Sequence, residues 1–350
     1  MIINKEFIRG HRTVEAVNIK FKGTSNVQKI VNRVLSLGKE VNTSEHMISY
    51  VDDDTLWFIC EGKPESGESI AELFLFFNNV RCIDISALDT SKCTNMSGTF
   101  SHCNKLRRVE FGNINTSNVA TMSNLFDCDS ELRDVNMSNL DLHSLVDAAL
   151  MFNYCTNLKY IDFRGLNTQS VVTTSHMFNY CRQLRKVNLD GLDLRNVASM
   201  SNMFCDCDKL KYINFDAEVR DLENIEGMFY NCGLIESFKL NKGKTIKMTS
   251  IHSAFSGCKS LTYLDLSSID LSDGSVDCAR FLWDCKKIKY LNIENFRNKQ
   301  LKVINTSGYI VYSPKKKVFM EESIVPEELI CKDKDLYDKI KCAEEIKEFW

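Results

Sequence analysis

Several signatures of common function classes are missing from these 350 residues. No apolar run approaches the roughly 18 residues of a membrane-spanning helix, so no membrane insertion is expected. The opening stretch "MIINKEFIRGHRTVEAV" lacks a basic-then-apolar leader and has no cysteine placed for lipid attachment. A cytoplasmic location is therefore the expectation, with a surface or virion-associated one as its alternative. Positive charge is not in surplus: 44 Lys and Arg stand against 47 Asp and Glu, a formal net charge of −3. Nucleic-acid binders usually lean strongly basic, so no nucleic-acid partner is expected. H-E-x-x-H, G-x-S-x-G and phosphate-cradling glycine loops are absent, so neither catalytic residues nor an enzyme are expected. There are 15 cysteines, yet the only tight pair is "CDC" at 205–207. Zinc sites usually draw two ligands from a close pair, so no metal and no cofactor are expected.

What the cysteines do follow is a period. Cys155 and Cys181 end two copies of "MFNYC" and lie 26 residues apart. Cys103 and Cys207 extend the step, and Cys232, Cys258 and Cys285 continue it. Three places earlier runs a phenylalanine series from Phe100 to Phe255, closed by Leu282. Three places later runs a leucine or isoleucine series from Leu106 to Ile288. Then comes an apolar–polar–apolar triplet such as "IDF" at 161 or "LDL" at 264. That alternation predicts a short strand with the outer two residues facing the core. The next segment, such as "NTSNVATMSNLF", opens on N-cap residues and spaces Val119, Met122, Leu125 and Phe126 at helical intervals, which predicts a short helix. One strand and one helical segment cannot bury an apolar face alone, whereas stacked units can. The period falls in the leucine-rich-repeat range. The expected fold is an α/β solenoid: a right-handed coil with a parallel sheet on the concave face and short helical segments on the convex side, capped at both ends.

"LKYIDFRGLNTQSVVTTSHMFNYCRQL", "LTYLDLSSIDLS" from 261 and "LDTSKCTNMSGTFSHCNKL" from 88 carry a more specific likeness. They resemble the BspA-like leucine-rich-repeat family, in the branch found in mycoplasma-type surface lipoproteins. The resemblance covers about residues 70–295 and implies a surface, adhesion or interaction role.

Three regions follow from the period: an N-terminal α/β cap at 1–69, a solenoid of about nine coils at 70–295, and a C-terminal cap with a terminal helix at 296–350. The cysteine column is expected to be interior free thiols packing as small hydrophobes. Position 129 breaks it with Asp, preceded by Cys128. A buried lone carboxylate is costly, so a one-residue shift placing Cys128 in the slot is expected. His102, His176 and His252 fall near the helical segments at unrelated repeat positions.

The outward columns carry the functional candidates. A basic row runs Arg81, Arg107, Arg133, Lys159, Arg185 and Lys211. An acidic and amide row includes Asp84, Glu110, Asp162 and Asp265, and is expected to neutralise the basic row and link coils. Just before each strand's first apolar residue stand Tyr160, Tyr212, Tyr263 and Tyr290, with Arg108, Asp134 and Lys186 among them. Tyr and Arg are common interface anchors. The expected partner-binding surface is this concave face: Tyr160, Tyr212, Tyr263, Tyr290, Arg108, Asp134, Lys186, Asp162 and Asp265. The expected function is a non-enzymatic module binding a protein partner, with an adhesin recognising a host ligand or glycan as the alternative.

Overall fold

The computed structural model of the chain describes residues 1–133, 135–189, 192–215, 219–240, 246–270, 276–288 and 290–292, and two short strands at 311–313 and 316–318. The N-terminal region folds as α1 (Lys5–Arg9), β1 (Asn18–Thr24), α2 (Val27–Ser36), β2 (Asn42–Ser44), β3 (Met47–Asp52) and β4 (Thr55–Glu61). Asn4 and Asn26 cap the two helices, each side chain accepting a backbone N–H three residues on. β2, β3 and β4 are antiparallel, and β1 lies parallel to β4. β1 also pairs in parallel with β5 (Cys82–Asp84), with Ile19 opposite Ile83, and β5 pairs with β6 (Arg108–Glu110). The sheet thus runs across the expected boundary at residue 69 into the first repeats.

The remaining strands recur once per period: β7 (Tyr160–Asp162), β8 (Lys186–Asn188), β9 (Tyr212–Asn214), β10 (Ser237–Lys239), β12 (Tyr263–Asp265) and β14 (Tyr290–Asn292). β7–β8–β9 and β10–β12–β14 are parallel ladders, in which each residue faces its counterpart one repeat later. β11 (Ile246–Lys247) and β13 (Ile269–Asp270) form a smaller parallel pair. The alternation works as read: Val109, Ile161 and Phe163 are buried, while Arg108 and Tyr160 are exposed.

The helical expectation fails. Among the described residues from 70 to 292 there is no helix. "MSNLFDC" forms successive turns instead: Leu125 N donates to Met122 O, and Asp127 N to Asn124 O. Asn124 and Cys128 have φ of 56° and 63°, left-handed values that interrupt any α-helix. The same two slots are left-handed in the neighbouring coils, for example Leu150 and Tyr154, then His176 and Tyr180. This conformation aims alternate N–H groups sideways: those of Met122, Asn124, Phe126 and Cys128 donate to the carbonyls of Asp147, Ala149, Met151 and Asn153 in the next coil. A helix would have kept those bonds within one coil. Three-residue turns space apolar side chains much as a helix does, which is why the sequence pattern could not separate the two.

The turn segment opens on a column of Asx and ST turns. Asn95, Thr121, Asp147 and Thr173 each accept the N–H two residues on. The same column is a chain of single-residue parallel bridges from Ser69 to Asp277. The coils are therefore tied together both at the strands and at the turns.

Inside lies a ladder of rings. Phe74, Phe100, Phe126, Phe152, Phe178, Phe204, Phe229 and Phe255 stack with centroids 5.2–5.6 Å apart. The stack ends at Phe281, which meets Phe255 edge-on, beside the buried Leu282 that closes the sequence series. Next to it runs the cysteine column, buried and free as expected. Each thiol donates to the phenylalanine carbonyl of the preceding coil: Cys155 to Phe126 O at 3.1 Å, Cys181 to Phe152 O at 3.1 Å, Cys258 to Phe229 O at 3.1 Å. Burial pushes these thiols well above their ordinary range.

The expected shift at Asp129 does not occur. Asp129 itself fills the cysteine slot, wholly buried, and Cys128 takes the half-buried left-handed slot before it. One carboxyl oxygen accepts the Cys103 N–H at 2.7 Å, and the other has no partner among the described residues. Burial holds this carboxyl well above the usual carboxylate range. Lateral hydrogen bonds on both sides of the slot fix the coil register, so the backbone could not slip to relieve one side chain.

The C-terminal cap at 296–350 lies outside the described residues, apart from β15 (Val311–Ser313) and β16 (Lys316–Val318). These two are antiparallel, and β15 joins β14 in parallel.

Candidate functional site

The strand face gathers part of the expected set. Tyr160, Lys186 and Tyr212 occupy one register row across β7, β8 and β9. Neighbouring strands are about 4.8 Å apart, so the lysine is flanked by the two tyrosines. Tyr160 and Tyr212 are 43% and 45% exposed, values more typical of polar side chains than of aromatics. Lys186 is exposed and forms no ion pair among the described residues. Tyr212 is approached by Lys211, whose ammonium lies 5.2 Å from the ring centroid and 3.1 Å from a Glu236 carboxylate oxygen. Tyr263 and Tyr290 share a second row, in β12 and β14 beside Ser237 of β10. Arg108 stands apart on β6, its guanidinium 2.8 Å from Glu110. Asp134 lies outside the described residues.

Two acidic candidates have local work. Asp162 accepts the Arg164 N–H and is clamped by its guanidinium, at 2.6 to 3.1 Å. That pairing pulls its carboxyl down to about 2. It also accepts the Tyr160 hydroxyl at 2.8 Å, which orients that ring. Desolvation first, and this carboxylate second, raise the Tyr160 phenol. Asp265 is buried, taken up by the Ser267 N–H and the Lys239 ammonium at 3.2 Å, and so is not part of the accessible face.

The acidic row acts only partly as expected. Asp84, Asn136, Asp162 and Asp265 each accept the N–H two residues on, closing the turn after their own strand, and Asp265 also links coils through its ion pair with Lys239 on the neighbouring strand. Arg107 and Arg133 are instead met by Glu131, at 3.6 and 3.8 Å.

A second cluster, on the turn side, was missed. His102, Asp127 and Cys128 each offer a ligand atom, and these atoms lie within 4.8 Å of one another. All three are half-buried. The signal was available: 102 and 128 are one period of 26 apart, so the two side chains occupy the same slot of adjacent coils. Asn153 Nδ2 donates to Asp127 Oδ1 at 2.7 Å, and Asn179 Nδ2 to Asn153 Oδ1 at 2.9 Å, an amide ladder that ends on the carboxylate. Burial and then the Asp127 charge push the Cys128 thiol up to about 12.

No helix of the described residues is long and apolar enough to cross a membrane. The hydrogen-bonded period, with one strand and one turn segment per coil, defines a stacked-coil repeat protein of leucine-rich-repeat type. Three overlapping matches, at 68–186, 94–215 and 149–268, span more than half the chain and show the family: the chain belongs to that described as "Mycoplasma protein of unknown function, DUF285". No curated protein matches. Among solved structures, one similar chain is TLR13 in a complex with ssRNA13, at 17% identity and a TM-score of 0.34. That alignment covers 69% of this chain but only 32% of the TLR13 chain. Another is a leucine-rich-repeat protein of Leptospira interrogans, at 10% identity and a TM-score of 0.22, covering 77% of this chain and 87% of that one.

Proposed function

We propose that the chain is a non-enzymatic module that binds a protein partner through its strand face. The observation that carries this reading is the row Tyr160–Lys186–Tyr212, two exposed aromatics around a cation with no ion pair among the described residues. The stacked coils hold this row rigidly, so little conformational entropy is lost when a partner docks. Aromatic anchors with a charged neighbour are the usual centre of a binding surface. Asp162 supports the row by fixing the Tyr160 hydroxyl. In this reading Tyr263 and Tyr290 extend the surface, and residues 1–69 act as the N-terminal cap.

The experiment is affinity capture with mass spectrometry, comparing the unaltered chain with a Tyr160→Ala/Tyr212→Ala variant. Both side chains are exposed, so the variant keeps the circular dichroism of the parent. Captured partner falls at least roughly tenfold, as loss of two anchors implies. Equal capture by the folded variant sinks the assignment of this face. Capture of glycans in place of proteins favours the adhesin reading.

A further inference from the structure

We propose that His102, Asp127 and Cys128 form a binding site for a zinc-class divalent cation on the turn side of the array, with a coordination position left open to an outside ligand. This inference does not rest on the strand-face reading. An imidazole, a carboxylate and a thiolate are the donor types that Zn²⁺ accepts, and three protein ligands with an open fourth position are the pattern of its non-structural sites. Ligand atoms on one Zn²⁺ lie about 3–4 Å apart. The three atoms here already lie within 4.8 Å, so small side-chain rotations close the set.

The surroundings are built for these ligands. The Asn153 amide and the Cys128 thiol both donate to Asp127 Oδ1, at 2.7 and 3.5 Å, leaving Oδ2 without a hydrogen bond among the described residues. Ser101 Oγ lies 2.8 Å from His102 Nδ1 and 3.3 Å from the Asp127 carbonyl oxygen, which ties the imidazole to the coil carrying the other two ligands. The Phe76 ring meets the imidazole edge-on at 4.9 Å and limits its swing. Such outer partners orient ligands and tune affinity.

The repeat itself does not require these residues. The slot of His102 and Cys128 holds Tyr154, Tyr180, Asp206 and Asn231 in later coils, and the slot of Asp127 holds Asn153 and Asn179. By contrast, the column thiols are fully buried and tied to phenylalanine carbonyls, beyond the reach of an ion. On binding, the Cys128 proton passes to solvent and the thiolate sulfur supplies the electron pair to the metal.

The same slots supply the test. His102→Asn, Cys128→Asn and Asp127→Asn each install a residue that another coil carries in that position, and Asn tolerates the left-handed backbone of 102 and 128. The full chain is stripped with a chelator and titrated with Zn²⁺ by calorimetry and with Co²⁺ by absorption. Stoichiometric binding is expected, with a thiolate-to-cobalt charge-transfer band. Cys128→Asn abolishes the band, and His102→Asn and Asp127→Asn each weaken Zn²⁺ at least roughly tenfold. Cys278→Ser, at another partly buried thiol, changes neither. Absence of saturable Zn²⁺ binding overturns the proposal, as does unaltered binding by a Cys128→Asn variant with the circular dichroism of the parent.

Discussion

Replacing Asp129 by cysteine restores the residue that most other coils carry in this slot, and the structure fixes what should follow. The backbone already suits cysteine: Asp129 N donates to Phe126 O, as Cys155 N does to Phe152 O. The substitution removes a buried carboxyl oxygen that has no partner, a defect costing about 1–3 kcal/mol. It also removes the bond from Cys103 N, worth about 1 kcal/mol. That N–H can then close its own turn onto Phe100 O, as the equivalent group of Cys155 does onto Phe152 O, so the loss is offset. With the carboxyl neutral in both the folded and unfolded states, a net gain of about 1–3 kcal/mol is expected. The gain must also depend on pH. Burial raises the folded carboxyl well above its ordinary 3.8, so folding takes up a proton between the two values. Stability of the parent therefore falls as pH rises through that window, by about 1.4 kcal/mol per unit, and the penalty vanishes below the unfolded value. The introduced thiol stays neutral in both states until the ordinary cysteine value of about 8.5 is neared, so the variant lacks this slope. Urea unfolding of both proteins, followed by circular dichroism at several values between about pH 5 and about pH 8, reads the difference. A variant no more stable than the parent refutes the reasoning about the orphan oxygen. A gap that stays constant with pH refutes the raised carboxyl.

Two further predictions concern the interior. Phe152→Ala, in the middle of the ring ladder, should cost about 3–5 kcal/mol in the same urea assay, because stacked neighbours on both sides cannot collapse into the void; a loss below about 1 kcal/mol would mean that the ladder is not a rigid core. Cys181→Ser should cost about 1–3 kcal/mol: its thiol donates to Phe152 O at 3.1 Å, and the shorter serine side chain draws the donor away from that carbonyl. A serine as stable as the parent would show that the column tolerates a polar group there.

The period, the strand triplets and the interior cysteines were legible in the chain because each is a local pattern. Val109 and Phe111 point inward simply because strand side chains alternate, and the Phe100-to-Phe255 spacing could stack only if the units coil. Other features depended on what lies one coil away. Whether "MSNLFDC" is a helix or a run of turns was decided by the carbonyls of the following coil, which draw alternate N–H groups sideways and force Asn124 and Cys128 into left-handed conformations. The burial of Asp129 was decided the same way, since register held on both sides leaves a costly side chain no escape. The candidate sites divide along this line. Tyr160 and Tyr212 could be named from alternation alone, whereas the burial of Asp265, the Arg164 clamp on Asp162 and the meeting of His102 with Asp127 and Cys128 are contacts of the folded chain. Periodicity determines which residues share a face; lateral packing between coils decides which of them touch.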